Sequence, residues 1–395
     1  MKKKEIFKKC ILITSLVSAV LASPMYGIAA PREMPDGQIF DAEYYAASNP
    51  DVTAALGTDE ALLYQHYLLF GKAEGRKPYA TGDTVTQQAD SLSAAQKAAM
   101  APAYNCAKTA ANALALTQIY DPDGYYILQN DSMETMEFWL FGSGMLAGEL
   151  DTCVHETFHG YTFNRALRNT QAIYIGDSQT IYVPYTPVFA TQEWSVSLPS
   201  ELRTFRYNTY VAAGASASAN SYGVYGLLNE FAAYGWGLNN QICLYDYYAA
   251  QPFSMDVWAD YVTSCENDFT AFCEFRFYIL GYLDYAQTTH PEIWSAIMSN
   301  QDFINAYCVT ERRFEKNIAS YQASKDRIIA LGAQNGRRVC FQCSMFYVGN
   351  TGRGISSTGR DQLLAQINSA PLKAQEQYMF SLCTVPVMQA QVIVP

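Results

Sequence analysis

Residues 155–159 read His-Glu-Thr-Phe-His, the stretch of this chain whose residue types and spacing point most directly to chemistry. On an α-helix, side chains four apart share a face, so His155 and His159 can present two imidazoles to one ion. Glu156 stands beside them, where its carboxylate can take a proton from a water that the ion activates. Zinc suits imidazole ligands, lowers the pKa of water toward about 7 and polarises a carbonyl, so the spacing points to hydrolysis. The chain holds four His, and two of them fall in this motif.

A catalytic zinc takes three protein ligands and keeps one position open. Arg165 follows His159 with no HxxGxxH continuation, so a downstream His is not the third ligand. His66 lies in an N-terminal stretch and His290 precedes Pro291, which leaves a carboxylate on a second helix as the expectation. Residues 225–238, YGLLNEFAAYGWGL, carry one carboxylate, Glu230. On so apolar a helix a carboxylate is costly to bury unless it meets a cation. Glu193 in a β-like stretch, Glu201 in a loop and Glu274 in CEFRFYILGYLDYA are the rivals, the last with Arg276 as an ordinary partner. Tyr222, Tyr225, Tyr234 and His290 are candidates to stabilise an oxyanion, and each reads equally as a packing aromatic. Asp151, one turn before His155, either accepts the far N–H of a ligand imidazole or is an acidic residue early in a helix.

The elements that must position these groups follow from caps and periodicity. Ser143 is expected to cap a helix running to about Asn164, which carries the motif. Strands are expected at 124–129 and 135–141 and across 171–212, which read as β with turn residues between. Helices are expected at about 222–238, 254–263, 267–287, 291–299 and 311–333. Ser93 caps a helix opening at Ala94, and Pro102 interrupts it before a second stretch to Gln118. In the last sixty residues the flanks of Cys340-x-x-Cys343 read as strand, and helices are expected at 360–369 and 371–381. That CxxC lacks a second pair, so it reads as disulfide-forming rather than a zinc site.

Composition bounds the rest. Half of the 395 residues are hydrophobic, only 16% are charged and 30 are Tyr, which describes a folded chain with a sparsely charged surface. The net charge of -11 disfavours nucleic acid as a partner. Five lysines in the first nine residues, an apolar run from Ile11 to Ala22 and small residues to Ala30 form the three-part pattern of a signal peptide over 1–30. The run is too short to span a bilayer, so the expectation is export with no membrane span after cleavage. Cys10 lies in that segment, and nine cysteines remain, an odd number.

Within 31–80, Phe40-Asp41-Ala42-x-Tyr44-Tyr45, Asn49-Pro50-Asp51-Val52 and Tyr67 through Gly71-Lys72-x-x-Gly75-Arg76 resemble a small helical module that recurs in secreted bacterial surface proteins. The resemblance implies attachment at a cell surface. A polar linker, 81–93, separates it from the rest.

His155-Glu156-x-x-His159 followed by Asn229-Glu230 on a later apolar helix resembles the gluzincin metallopeptidases, in particular the peptidase MA-like group. The resemblance implies Zn2+ on His155, His159 and Glu230 with Glu156 as general base. It implies an α+β, zincin-like domain over 94–335: a small β-sheet beside the HExxH helix, then a mostly helical lobe carrying Glu230. Residues 336–395 are expected to pack on it. Tyr234 stands where the thermolysin-type pattern has an acidic residue that orients a ligand His. The expected activity is that of a secreted endopeptidase acting on protein or peptide substrates. A surface adhesin, or a zinc hydrolase of cell-wall amide bonds, is the alternative.

Overall fold

The computed structural model describes residues 32–34, 39–72, 76–78, 93–215 and 218–385. They fall into two units, 1–91 and 92–395. The signal-peptide segment 1–30 and the linker residues 81–92 lie outside the described residues.

The first unit holds a strand pair, β1 (Arg32–Glu33) with β2 (Ile39–Phe40), and helices α1 (Ala42–Ser48), α2 (Pro50–Leu56) and α3 (Glu60–His66), the last extended by a wider turn over Tyr67–Gly71. Side chains of the Phe40–Arg76 pattern build it. Asp41 caps α1 by accepting from the Tyr44 amide at 2.8 Å, and Pro50 opens α2. The Arg76 guanidinium grips both oxygens of Asp51 at 2.9 and 2.8 Å and reaches Asn49 Oδ1, which ties the end of the module to its middle. Phe40, Tyr45 and Leu63 fill the core, and a Cβ at Gly71 would collide with the Tyr45 hydroxyl.

In the second unit α4 (Ala94–Met100) opens with a capping box between Ser93 and Gln96. Three further helices follow, α5 (Ala110–Tyr120), α6 (Pro122–Leu128) and α7 (Met133–Trp139). The last two occupy the stretches expected as strands. Asp121 accepts from the Gly124 amide with Pro122 in the first turn, and Ser132 accepts from the Thr135 amide. These caps outweigh the β preference of Tyr125, Tyr126 and Ile127. The motif helix α8 (Leu146–Arg165) starts three residues after Ser143, without a side-chain cap. Glu149 instead folds back onto the Gly144 amide at 2.6 Å.

The hairpin β3 (Thr170–Gly176) with β4 (Gln179–Pro184) is antiparallel, with β3 against α8. The β reading of 202–212 is corrected: after α9 (Thr191–Ser195), a 3₁₀ turn at Ser200–Leu202 leads to the short α10 (Tyr207–Tyr210). There the Arg206 amide donates to the Glu274 carboxylate at 3.0 Å, so it takes a side-chain partner in place of a strand.

Helices α11 (Ser218–Tyr222), α12 (Val224–Cys243), α13 (Tyr245–Ala249), α14 (Met255–Thr289), α15 (Pro291–Met298) and α16 (Gln301–Gln334) form the helical part. The two helices expected at 254–263 and 267–287 are one 35-residue helix. The meander β5 (Val339–Gln342), β6 (Met345–Val348), β7 (Thr351–Gly354) and helices α17 (Arg360–Ile367) and α18 (Ala370–Leu382) finish the chain. Residues 336–385 belong to the same unit, with α17 and α18 against α14. All nine described cysteines are free thiols, and Cys343 sits at the β5–β6 turn with φ 50°, so CxxC forms no local disulfide. Among the described residues no helix is long and apolar enough to cross a membrane. The architecture is mixed and mostly helical, with small sheets.

Almost every residue of α12 is buried, and it packs against α8, α14 and α16. Two glycines allow that: a Cβ at Gly235 would stand 3.3 Å from the Phe314 ring of α16, and one at Gly237 would stand 3.1 Å from the Asp151 carbonyl of α8. Glycine inside a helix costs about 1 kcal/mol relative to alanine, and the close packing offsets it.

Burial also sets a titration in the core. Arg276 of α14 is bidentate to Glu376 of α18 at 2.7 and 2.6 Å, which leaves Glu311 of α16 only a contact at 3.4 Å from the same guanidinium. Burial pushes the Glu311 carboxyl up to about 8. A raised carboxyl contributes stability that is fully present below its unfolded pKa and lost as pH rises through the folded one. Stability should therefore fall between about pH 4.5 and 8, by about 1.4 kcal/mol per pH unit for one proton. Urea unfolding across that range should show this slope in the wild type and a flatter one in Glu311→Gln.

Candidate metal centre

The structure brings His155, His159 and Glu230 together, the first two from α8 and the third from α12. Residues four apart put both imidazoles on the face of α8 turned to α12. The Nε2 atoms are 3.1 Å apart, and Glu230 Oε2 is 3.7 Å from that of His155 and 3.4 Å from that of His159. A tetrahedral ion with ligand bonds of about 2.0–2.1 Å separates its donors by roughly 3.3 Å. The three observed separations bracket that value.

Glu230 is 6% exposed, and its Oε2 is buried without a hydrogen-bond partner. The other buried glutamates among the described residues meet a cationic side chain: Glu274 meets Arg206 at 2.7 Å, Glu266 meets Arg360 at 2.7 Å and Lys325 at 2.5 Å, and Glu376 meets Arg276 at 2.6 Å. Even Glu311 has Arg276 at 3.4 Å. Glu230 faces imidazole nitrogens instead. A buried carboxylate oxygen without a donor is costly unless a cation completes it. The donor set therefore fits a divalent ion.

Burial favours the neutral form of His155, and a hydrogen bond orients His159. Burial, followed by the charges of His159 and Arg206, pushes the His155 pKa well down, which keeps its nitrogen lone pair available. Burial lowers that of His159, but Glu230 outweighs it and the net direction is up. The His159 ring is held by Asn229: the amide Nδ2 donates to Thr162 Oγ1 at 3.0 Å, which leaves Oδ1 to accept from His159 Nδ1–H at 2.6 Å. The tautomer so fixed turns a bare Nε2 toward Glu230 and His155. Asn229 is thus the orienting residue, a role the sequence reading left unassigned. The neighbouring position to a candidate ligand on an apolar helix was the available signal.

Glu156 is half-buried beside His155, and both line a cavity of about 110 Å³ with Tyr234, Asp151, Thr152, Gly237, Asn267 and Asp268. Burial raises the Glu156 carboxyl, offset in part by His159 and reinforced by Glu230. A raised carboxyl is a stronger proton acceptor, as a general base requires.

The rival ligands have other partners. Glu274 accepts from Arg206 and Thr204, Glu193 binds His290 at 2.6 Å, and Glu201 is exposed beside Ser200. Of the oxyanion candidates, Tyr225 is bonded to Thr186 and Asn300, His290 is bonded to Glu193, and Tyr222 is half-exposed against Tyr185. Tyr234 alone of the four lines the cavity. Its ring meets His155 edge-on at 4.2 Å, and its hydroxyl bonds that of Tyr210 at 3.1 Å. It therefore packs against the candidate ligand rather than hydrogen-bonding it. Asp151 accepts from the Thr152 hydroxyl at 2.9 Å, and no hydrogen bond joins it to either imidazole among the described residues.

Compared with protein-family models, curated proteins and solved structures, the chain matches none.

Loss of the Asn229 contact should loosen the site before it unfolds the protein. Asn229→Ala is expected to lower metal affinity about 10- to 100-fold, while Asn229→Asp, which can still accept from Nδ1–H, retains most of it. Competition against a chelator of known affinity measures this.

Proposed function

We propose that the chain is a zinc-dependent peptidase of the gluzincin kind, with a zincin-like arrangement of α8 and α12. The observation that carries the reading is the triad: two imidazole nitrogens and an unpartnered buried carboxylate oxygen at the spacing of a tetrahedral ion's donors. His155, His159 and Glu230 would hold the ion. Zinc in that position supplies Lewis acidity, which activates water and polarises the carbonyl to be cleaved.

The chain's own residues do the rest. Glu156, at the cavity edge next to His155, takes the proton of the attacking water on its carboxylate and returns it to the leaving amine. Its half-buried position, which raises its proton affinity, suits both halves of that transfer. Asn229 keeps His159 in one tautomer throughout. Tyr234 and Tyr210 bring their hydroxyls together, with the Tyr234 side chain on the cavity wall, where a donor for an oxyanion is needed. The basic-apolar-small pattern of residues 1–30 and the module at 31–80 support export and surface attachment.

Metal analysis of the purified protein, beside cleavage of casein and of cell-wall fragments, tests the reading. Glu156→Gln should keep its metal and lose cleavage by at least about 100-fold. His155→Ala and Glu230→Ala should lose the metal. Glu274→Ala should keep it while destabilising the fold by about 3–5 kcal/mol, because Arg206 is left buried and unpaired. Zinc kept by Glu230→Ala and lost by Glu274→Ala would sink the ligand assignment, and cleavage of wall fragments alone would move the substrate from peptides to wall amides.

A further inference from the structure

The cavity that begins at His155 and Glu156 ends at two acidic residues that the proposed reaction does not use. Asp151 and Thr152 line it from α8, and Asn267 and Asp268 from α14. Asp268 is 3% exposed; its Oδ1 takes a long contact from Asn267 Nδ2 at 3.4 Å, and its Oδ2 is buried with no hydrogen-bond partner. Gly237 keeps space open there: a Cβ at that position would come within 3.4 Å of the same Oδ2. The cation nearest by charge, Arg206, is already committed, with Nη1 on Glu274 at 2.7 Å and Nη2 on Asn267 Oδ1 at 2.8 Å. Burial, followed by the charge of Asp151, pushes the Asp268 carboxyl well up, and Arg206 and Asn267 offset this only in part.

Resting on the peptidase reading, we propose that this end of the cavity is a subsite for the basic side chain of a substrate Lys or Arg next to the scissile bond, with Asp268 as the recognising carboxylate and Asp151 beside it. Asp151 precedes His155 by one helical turn on α8, about 6 Å of axial rise, so this end of the cavity is offset from the imidazole along the helix, where a long Lys or Arg side chain can lie. A buried, desolvated carboxylate gives a charge-assisted hydrogen bond its full strength, so one acid can dominate selectivity. The net charge of -11 favours the approach of basic substrates.

Two measurements on the full chain test this, one of them without turnover. Calorimetric titration with n-butylammonium should show saturable binding in the wild type and in Glu156→Gln. In Asp268→Asn binding should weaken about ten- to hundredfold, and in Asp151→Asn by less. Asp268→Asn is isosteric and removes a buried unpaired acid, so its melting temperature should not fall; should it fail to fold, Asp151→Asn carries the same comparison. With peptides that differ only in one residue beside the scissile bond, kcat/KM should favour Lys and Arg over norleucine. Asp268→Asn should erase that preference mainly through KM. No binding of butylammonium to the wild type, equal binding to folded Asp268→Asn, or cleavage indifferent to basic residues overturns the subsite. Butylammonium binding that depends on Asp268, in a protein that cleaves no peptide, leaves the cation site standing and overturns the peptidase reading instead.

Discussion

A glutamate carboxylate buried in an apolar helix without a cationic side chain is the constraint around which this unit is organised. Glu230 lies on the buried helix α12, packed against α8, α14 and α16, and its Oε2 has no donor. Burying an ionised group without compensation costs several kcal/mol, a large share of the stability of an ordinary domain. The two imidazoles at 3.4 and 3.7 Å relieve it in part, and an ion among the three donors would relieve it fully. Binding of an ion there would be linked to folding, because the three donors come together only when α8 and α12 are packed.

The second acid, Asp268 of α14, repeats the same physics at the cavity that His155 lines. Both carboxylates are buried, both have an oxygen with no donor, and both border the space beside His155. Other buried acids meet a cation within the chain, as in the Arg276–Glu376 and Arg206–Glu274 pairs, while Glu311 keeps only a 3.4 Å contact with Arg276 and an oxygen without a donor. What sets Glu230 and Asp268 apart from Glu311 is their place beside His155. Strain of this kind concentrates at functional sites because selection retains it there against its cost to stability.

Local rules carried the sequence reading where the signal was local and failed where caps competed with propensity. The Ser93 cap, the Pro291 helix start and the β character of 171–184 are legible from a few adjacent residues. Residues 124–129 and 135–141 were misread because Tyr, Ile, Phe and Trp favour strands, whereas Asp121 with Pro122, and Ser132, open helices whose apolar faces the core then covers. The 202–212 stretch alternates as a strand would, yet its central amide bonds to Glu274, which is 68 residues away along the chain. No local pattern announces such a partner.

By itself the sequence determined the chemistry available: two imidazoles on one helical face with a carboxylate beside them, and a lone acid on an apolar helix that had to find a cation. Spacing of four on a helix is a local geometric fact, and an unpaired charge among apolar residues is a local energetic one. Only the tertiary structure decided which distant acid meets the imidazoles, that Asn229 fixes a tautomer, that Tyr234 packs against His155 rather than bonding it, and that Asp268 closes the cavity with a free oxygen. Those outcomes depend on how closely α8, α12 and α14 approach, and that distance is set by side-chain volume and by Gly237, where a Cβ would meet the Asp151 carbonyl and Asp268.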